Sequence, residues 1–196
     1  SFWTLIKGFV DAAKNTPFVR LCAATFFIFN SFQTIAAFSF FIIVYYLFQG
    51  DAGAAGIWPT LHGSVGALLT TFLVIPIVTR MSEKFGKKKT FMISQAISIV
   101  GYILFWFLFV PGKPYMFLFA LPMFSFGIGG LFTLMMSVTA DTCDLDELKN
   151  GLPRKEATFG AIYWWMVKFG TALAGLLSGL IMSYVGFDAN LVEQPE

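Results

Sequence analysis

Charge is what this chain has least of. Asp, Glu, Lys and Arg make up 12% of its 196 residues, against 57% hydrophobic, and the mean hydropathy is +0.75. A soluble domain carries about 25% charged residues and uses them to cover its surface. A chain this poor in charge has no solvated exterior to present, so its exterior is lipid. Cysteine is nearly absent too. Cys22 and Cys143 stand alone without CxxC or metal-ligand spacing, which excludes a disulfide framework and a cysteine-based metal site. No nucleophile–base pair, metal-ligand cluster or phosphate-binding glycine loop occurs, so neither an enzyme nor a cofactor is expected. Strict polar–apolar alternation is also missing, and the apolar runs are too long for barrel strands. The chain lacks an initiator Met and a cleavable signal peptide; opening on Ser1-Phe2-Trp3, it reads as a fragment of something longer or as a processed chain.

What is there is apolar length. A hydrocarbon core of about 30 Å takes about 20 helical residues, and five stretches qualify, at about 18–48, 57–79, 90–110, 115–140 and 158–185. The expectation is an all-α membrane protein with five transmembrane helices. Thr16-Pro17 reads as an N-cap followed by proline in the first turn. Gln49-Gly50-Asp51-Ala52-Gly53 and Pro111-Gly112-Lys113-Pro114 read as turns. Pro59, Pro76 and Pro122 are expected to kink or cap spans. The first stretch exceeds a perpendicular crossing and is expected to tilt or project.

The cations fix an orientation. If all five spans cross, eleven of the thirteen Lys and Arg residues fall on one side, and the other side receives only Lys113. By the positive-inside asymmetry the N-terminus is cytoplasmic and the C-terminus outside, in the inner or plasma membrane of the cell. The basic residues serve orientation, and no nucleic-acid partner is expected. Both thiols then fall near the reducing side, where no disulfide is expected. Residues 1–16 read as a cytoplasmic amphipathic linker with Trp3, Ile6, Phe9 and Val10 on its apolar side. Residues 17–187 form the bundle, and 188–196 an extracytoplasmic polar tail.

Lys168 is the one charged residue well inside a span. An ammonium at that depth costs about 2.5–3.5 kcal/mol on insertion scales, so it should face a polar cavity or a carboxylate. No acid lies deep in the five stretches. The structural alternative is a lysine held by a helix-end acid or by carbonyls. Trp164 and Tyr163 lie within one turn of it and could stack a sugar ring, or could be packing and interfacial anchors. Asn30, Gln33 and Thr34 share one face of the first span. They line a pathway or bond to a neighbouring helix. His62 reads as a satisfied structural group in preference to a proton carrier. Gly175 and Gly179 form a GxxxG pair, and Gly127, Gly129 and Gly130 cluster in the fourth span, all suited to close helix approach.

Two stretches read as cytoplasmic loops: 80–89, which carries Glu83 and Lys84, and 140–156, which carries Asp141, Asp144, Glu147, Arg154 and Glu156. Charges of both signs at a helix mouth can form ion pairs that hold it shut, or can be solvated loops worth about 0–1 kcal/mol per pair.

Ala140-Asp141-Thr142-Cys143-Asp144, then Glu147, Gly151, Arg154 and Glu156, leading into Val167-Lys168-Phe169-Gly170, resembles the signature of the glycoside–pentoside–hexuronide:cation symporters. These are the melibiose-permease-like family of the major facilitator superfamily. Gly86-Lys87-Lys88, with Glu83 and Lys84, is similar to the superfamily's basic loop motif, with Thr79 where its first Gly stands. The resemblance covers nearly the whole chain and implies helices seven to eleven of twelve, most of one six-helix bundle. It implies partners too: an amino-terminal bundle and a twelfth helix, from the same gene or a separate subunit, with the bilayer and a small-molecule solute. The coupling cation, Na⁺ or H⁺, would bind mainly in that other half. Lys168 is similar to the lysine that meets the family's cation-binding acids and sugar site. Tyr163 and Trp164 stand where sugar-contacting residues are found, and Phe132 stands where a stacking Trp is usual. Asp141, Asp144, Arg154 and Glu156 would gate the cytoplasmic side. The expected function is cation-coupled symport of a sugar, glycoside or related small solute by alternating access. The alternatives are a non-transporting scaffold or degenerate half-transporter, and a lipid-like amphiphile as cargo.

Overall fold

A computed structural model of the protein describes residues 10–151 and 156–188. The first nine residues of the amphipathic segment, Arg154 and the tail beyond 188 lie outside the described residues. Five helical spans long and apolar enough to cross a membrane account for nearly everything described: Thr16–Leu47, Ala52–Phe85, Lys87–Leu108, Pro114–Lys149 and Glu156–Tyr184. Phe72, Trp106 and Phe119 are 75%, 85% and 70% exposed, which water would not tolerate across so much of a surface and lipid does. The chain is an all-α integral membrane protein.

The turns and caps follow local chemistry. Asn15, one residue before the expected cap, caps the first span by accepting from the Phe18 N–H at 3.3 Å. Thr16 is therefore already helical, and Pro17 sits where no N–H is needed. Pro59 and Pro122 likewise fall in first turns. Pro76 is different, because it interrupts a continuing helix. Its missing N–H and its ring disturb the turn before it, and residues Thr70–Val74 open into a π-turn. Gly86 turns the chain between the second and third spans at φ 79°, a left-handed conformation that glycine adopts without penalty.

The fourth span differs from the reading at its polar end. Its helix runs Leu121–Asn150, so Asp141, Asp144 and Glu147 are carried on a helical extension and not on a loop. Thr142, Cys143 and Asp146 are buried there, giving the extension an inward side that holds it in helical form. Gly151, at φ 59°, ends it. The segment Arg80–Phe85 and the residues Lys87–Lys89 are helical as well, leaving Gly86 as the turn.

This span is also the hub of the bundle. In its most apolar stretch 61% of residues are buried, against 22% in each other span. Ser94 and Ser98 of the third span lie where side chains at Gly130 and Gly127 would stand, and Val74 of the second lies against Gly129. Gly101 of the third span meets the backbone of Met123 and Phe124. The fifth span packs chiefly on the first. Phe159 meets Phe18 with ring centroids at 4.4 Å, and Gly170 lies 3.0 Å (to an added Cβ) from the Phe26 carbonyl oxygen. The Tyr163 hydroxyl, fully inside, accepts from Thr25 Oγ1 at 3.1 Å and approaches Met135 Sδ at 3.1 Å. It ties the first, fourth and fifth spans together.

Two stability measurements check this packing. Gly101→Ala places a methyl group against backbone that cannot yield and should cost about 1–3 kcal/mol, while Gly160→Ala, with nothing within 4 Å, should be neutral; equal thermal midpoints in detergent for the two variants would contradict the helix contact. Tyr163→Phe should lower stability by about 1 kcal/mol. Adding Thr25→Val should then cost less than it does alone, and strict additivity in that cycle would mean the two hydroxyls do not bond.

Candidate functional site: a membrane-embedded cavity and a bare lysine

The fifth span buries one stripe, Phe159, Tyr163, Val167, Gly170, Ala174 and Ser178. At about 100° per residue the remainder divides into two flanks. One carries Ile162, Met166, Phe169, Leu173, Leu176 and Leu180, large and apolar. There Trp165 and Phe169 stack with ring planes 5° apart, and Phe169 continues onto Phe26. The other flank carries Ala161, Trp164, Lys168, Thr171, Gly175 and Gly179. Lys168 is exposed on it, and makes no hydrogen bond or ion pair among the described residues. Nothing lies within 4 Å of where a side chain at Gly175 or Gly179 would begin, so within the bundle this GxxxG pair brings no helix close.

The second span repeats the division. Leu61, Leu68 and Phe72 form an apolar flank, and Thr60, Gly63, Ser64, Ala67 and Thr71 a small and polar one, both outside the buried positions His62, Gly66 and Val74. Between the second span's small flank, the first span and the fourth span opens a cavity of about 400 Å³. Phe32, His62, Gly63, Phe124, Ile128 and Phe132 are among the residues lining it. Phe132 is half-exposed over this space and rests edge-on against Phe29 at 5.5 Å. That size falls in the range of about 300–1,000 Å³ usual for small-molecule pockets.

The other residues expected at the site are distributed unevenly. Trp164 stands on the lysine's flank, edge-on to Tyr163 at 6.3 Å. Tyr163 itself lies in the core, 1% exposed. Asn30 donates to the Gly170 carbonyl at 3.4 Å, so of its two readings the helix–helix bond is the one observed. Gln33 is half-buried, and Thr34 Oγ1 is sealed without a partner. His62 departs from the reading. It is 8% exposed, surrounded by Phe105, Phe117 and Phe124 at 5.6, 5.8 and 6.0 Å, and its Nε2 has no hydrogen-bond partner. Periodicity could place it inside, but could not show that three rings would stand around it.

At the polar end the ion pair is one that sequence reasoning missed. Lys87 Nζ lies 2.6 Å from Asp141 Oδ2, the two side chains 37% and 54% exposed. Lys87 was read as a marker of orientation and as part of the basic loop motif, not as a partner of Asp141, yet Gly86 brings it to the mouth of the helix that carries Asp141. Glu83 and Lys84 are exposed and do not join the pair; Lys84 lies over the Phe85 ring. Asn15 Nδ2 also reaches the Thr142 carbonyl at 3.4 Å, fixing the start of the first span to the fourth-span extension. Asp144 and Glu156 are engaged in contacts of their own, and Glu147 is exposed.

Comparison with known proteins agrees with this architecture. The chain is 30% identical over 183 residues to a glucuronide carrier protein homolog of Escherichia coli, covering 93% of this chain and 38% of that protein. It is 25% identical to the uncharacterized symporter YjmB of Bacillus subtilis, over 97% of this chain and 39% of the relative. An isoprimeverose transporter of Lactiplantibacillus pentosus is 27% identical over 64% of this chain and 26% of its own length. The chain thus spans well under half the length of the curated relatives it matches. No solved structure matches it. The family model described as MFS/sugar transport protein matches residues 3–196, and the chain belongs to that family, one of membrane transporters and not of enzymes.

Proposed function

We propose that the chain is the lysine-bearing bundle of a cation-coupled symporter for a sugar, glycoside or related small solute. Lys168 carries the reading. An ammonium on a small-residue flank at mid-span is costly against lipid, and nothing described in this chain neutralises it. A second bundle, against the small and polar flanks of the second and fifth spans, supplies the carboxylates that hold Lys168 and a coupling Na⁺ or H⁺. The large apolar flanks stay in the bilayer. With the basic end cytoplasmic, the N-terminus is inside and the C-terminus outside, in the cell's inner or plasma membrane.

Alternating access then follows from rocking the two bundles around a midplane site. The solute occupies the cavity beneath Phe132, with Trp164 on the lysine's side. The Lys87–Asp141 pair, half in water, adds little stability. Its place at the mouth makes it a gate element, with Asp144, Glu147 and Glu156 on the helices beside it. The relatives named as a glucuronide carrier homolog, a symporter and an isoprimeverose transporter support the solute class. The aromatic walls Phe32, Phe124 and Phe132 also suit a lipid-like amphiphile, which is the second reading; uptake of an alkyl glucoside but of no free sugar would favour it.

Lys168→Gln in the complete transporter should abolish cation-driven accumulation of methyl β-D-glucuronide in proteoliposomes while leaving a monodisperse, folded protein. Accumulation at the wild-type level by that variant would refute the role given to the lysine.

A further inference from the structure

We infer that Thr71 is a solute-recognition residue, whose hydroxyl bonds a ring hydroxyl of a pyranose lodged in the cavity between the first, second and fourth spans. This rests on the transport reading above and adds to it a specificity-determining contact on a different helix from Lys168. The observation is which hydroxyl of the cavity wall is left uncommitted. Three hydroxyl side chains line it, those of Thr70, Thr71 and Ser125. Thr70 Oγ1 donates to the Gly66 carbonyl at 2.8 Å, and Ser125 Oγ donates to the same carbonyl at 3.3 Å. Each has committed its one proton inside the wall, and the carbonyl has both lone pairs in use. Thr71 is exposed and makes no hydrogen bond among the described residues.

That freedom departs from the pattern in the neighbouring spans. Thr133, Thr139 and Thr171 each donate to the carbonyl four residues back, at 2.7, 2.8 and 3.0 Å. Such a bond is the usual recourse of a threonine inside a membrane helix, where a polar group needs a partner. Thr71 lies instead in the π-turn Thr70–Val74, a distortion that recurs at functional positions in helices. With no bond to hold it, the side chain is free to turn its hydroxyl onto a ligand. There it both donates and accepts, as a sugar hydroxyl does. The wall around it suits the rest of such a molecule. Gly63 and Ala67 precede Thr71 on the same side of the helix and line the cavity with it as a strip of small residues. A side chain at Gly63 would meet nothing within 4 Å. Phe32 and Phe132 line the same space and offer flat apolar faces to the ring's C–H groups. Thr71 and Lys168 each stand roughly three to four turns from the basic end of their spans, which puts the two at about one depth.

The test uses the complete transporter, with methyl β-D-glucuronide and its 2-, 3- and 4-deoxy analogues. If the wild type accumulates a different pyranose, that sugar and its deoxy analogues are the probes. Thr71→Val keeps the shape and removes the hydroxyl. It should raise KM for the parent about three- to tenfold, one hydrogen bond's worth, without changing maximal uptake. It should leave KM for one deoxy analogue unchanged, and Thr71→Ser should keep the wild-type discrimination among the four. Equal effects on the parent and all three analogues, or none on any, would overturn the assignment. Should Thr71→Val fail to fold, Thr71→Cys decides, in a background whose other half has its reactive cysteines replaced; Cys22 and Cys143 are buried. N-ethylmaleimide should label position 71 and the parent sugar should block it, and labelling that is absent or indifferent to sugar overturns the assignment. Wild-type protein that carries neither glucuronides nor other sugars with any cation would bring down the transport reading itself, and this one with it. Sugar transport indifferent to Thr71→Val would bring down this one alone.

Discussion

Two hydrocarbon-embedded helices gain nothing from hydrophobic association, because lipid is as apolar as they are. They hold together only if they come close enough for dense contact. The fourth span meets that requirement on two sides. Gly127 and Gly130 admit Ser98 and Ser94 of the third span, Gly129 admits Val74 of the second, and Gly101 returns the favour against the backbone at Phe124. A helix gripped in this way cannot rotate. Its remaining side, with Ser125, Ile128 and Phe132, is therefore held toward the cavity, and its extension carries Asp141 to Lys87. The aromatic core around Phe105, Phe117, Phe124 and His62 fills the space that the third and fourth spans leave beside the second.

The second and fifth spans share a different constraint. Each buries a narrow stripe and divides what is left into large apolar residues on one side and small or polar ones on the other. Lipid accepts the first set and gives the second no reason to exist. Small residues are useful where another helix must approach, and a lysine where an acid or solute waits. The second span's small flank, with Gly63, Ala67 and Thr71, borders the cavity, and the fifth span's carries Lys168. Nothing described lies within 4 Å of where a side chain at Gly175 or Gly179 would begin, and under the proposed mechanism the second bundle takes that place.

The spans themselves were legible because about 20 apolar residues in succession have few other uses in a folded protein. Their ends were less so. Charge density made 140–150 read as loop, yet Thr142, Cys143 and Asp146 repeat at helical spacing and are buried. Pro76 announced a disturbance without revealing that it would become a π-turn. Within the site, Lys168 was visible as a lone charge, but Tyr163 and Trp164 are adjacent in sequence and cannot both share its flank. Only the packed stripe shows that Tyr163 belongs to the core and Trp164 to the open side. The surroundings of His62 and Lys87 were not legible for a common reason: they come from residues far away in sequence, three phenylalanines in one case and Asp141 in the other.

Lys168 bears on how solute and cation would be coupled under the proposed mechanism. A ligand shifts an equilibrium between two arrangements only through interactions that differ between them. The cavity lined by Phe32, His62 and Phe132 is built by the first, second and fourth spans, and would travel with them as one body. A solute held only there would be bound alike in both arrangements, which gives affinity but no drive. Lys168 is exposed and makes no hydrogen bond or ion pair among the described residues, so under that mechanism its partners would come from the opposing bundle and change as the two rock. Drive would therefore come from the lysine's flank, and a solute bound in the cavity would have to be linked to that flank to be moved.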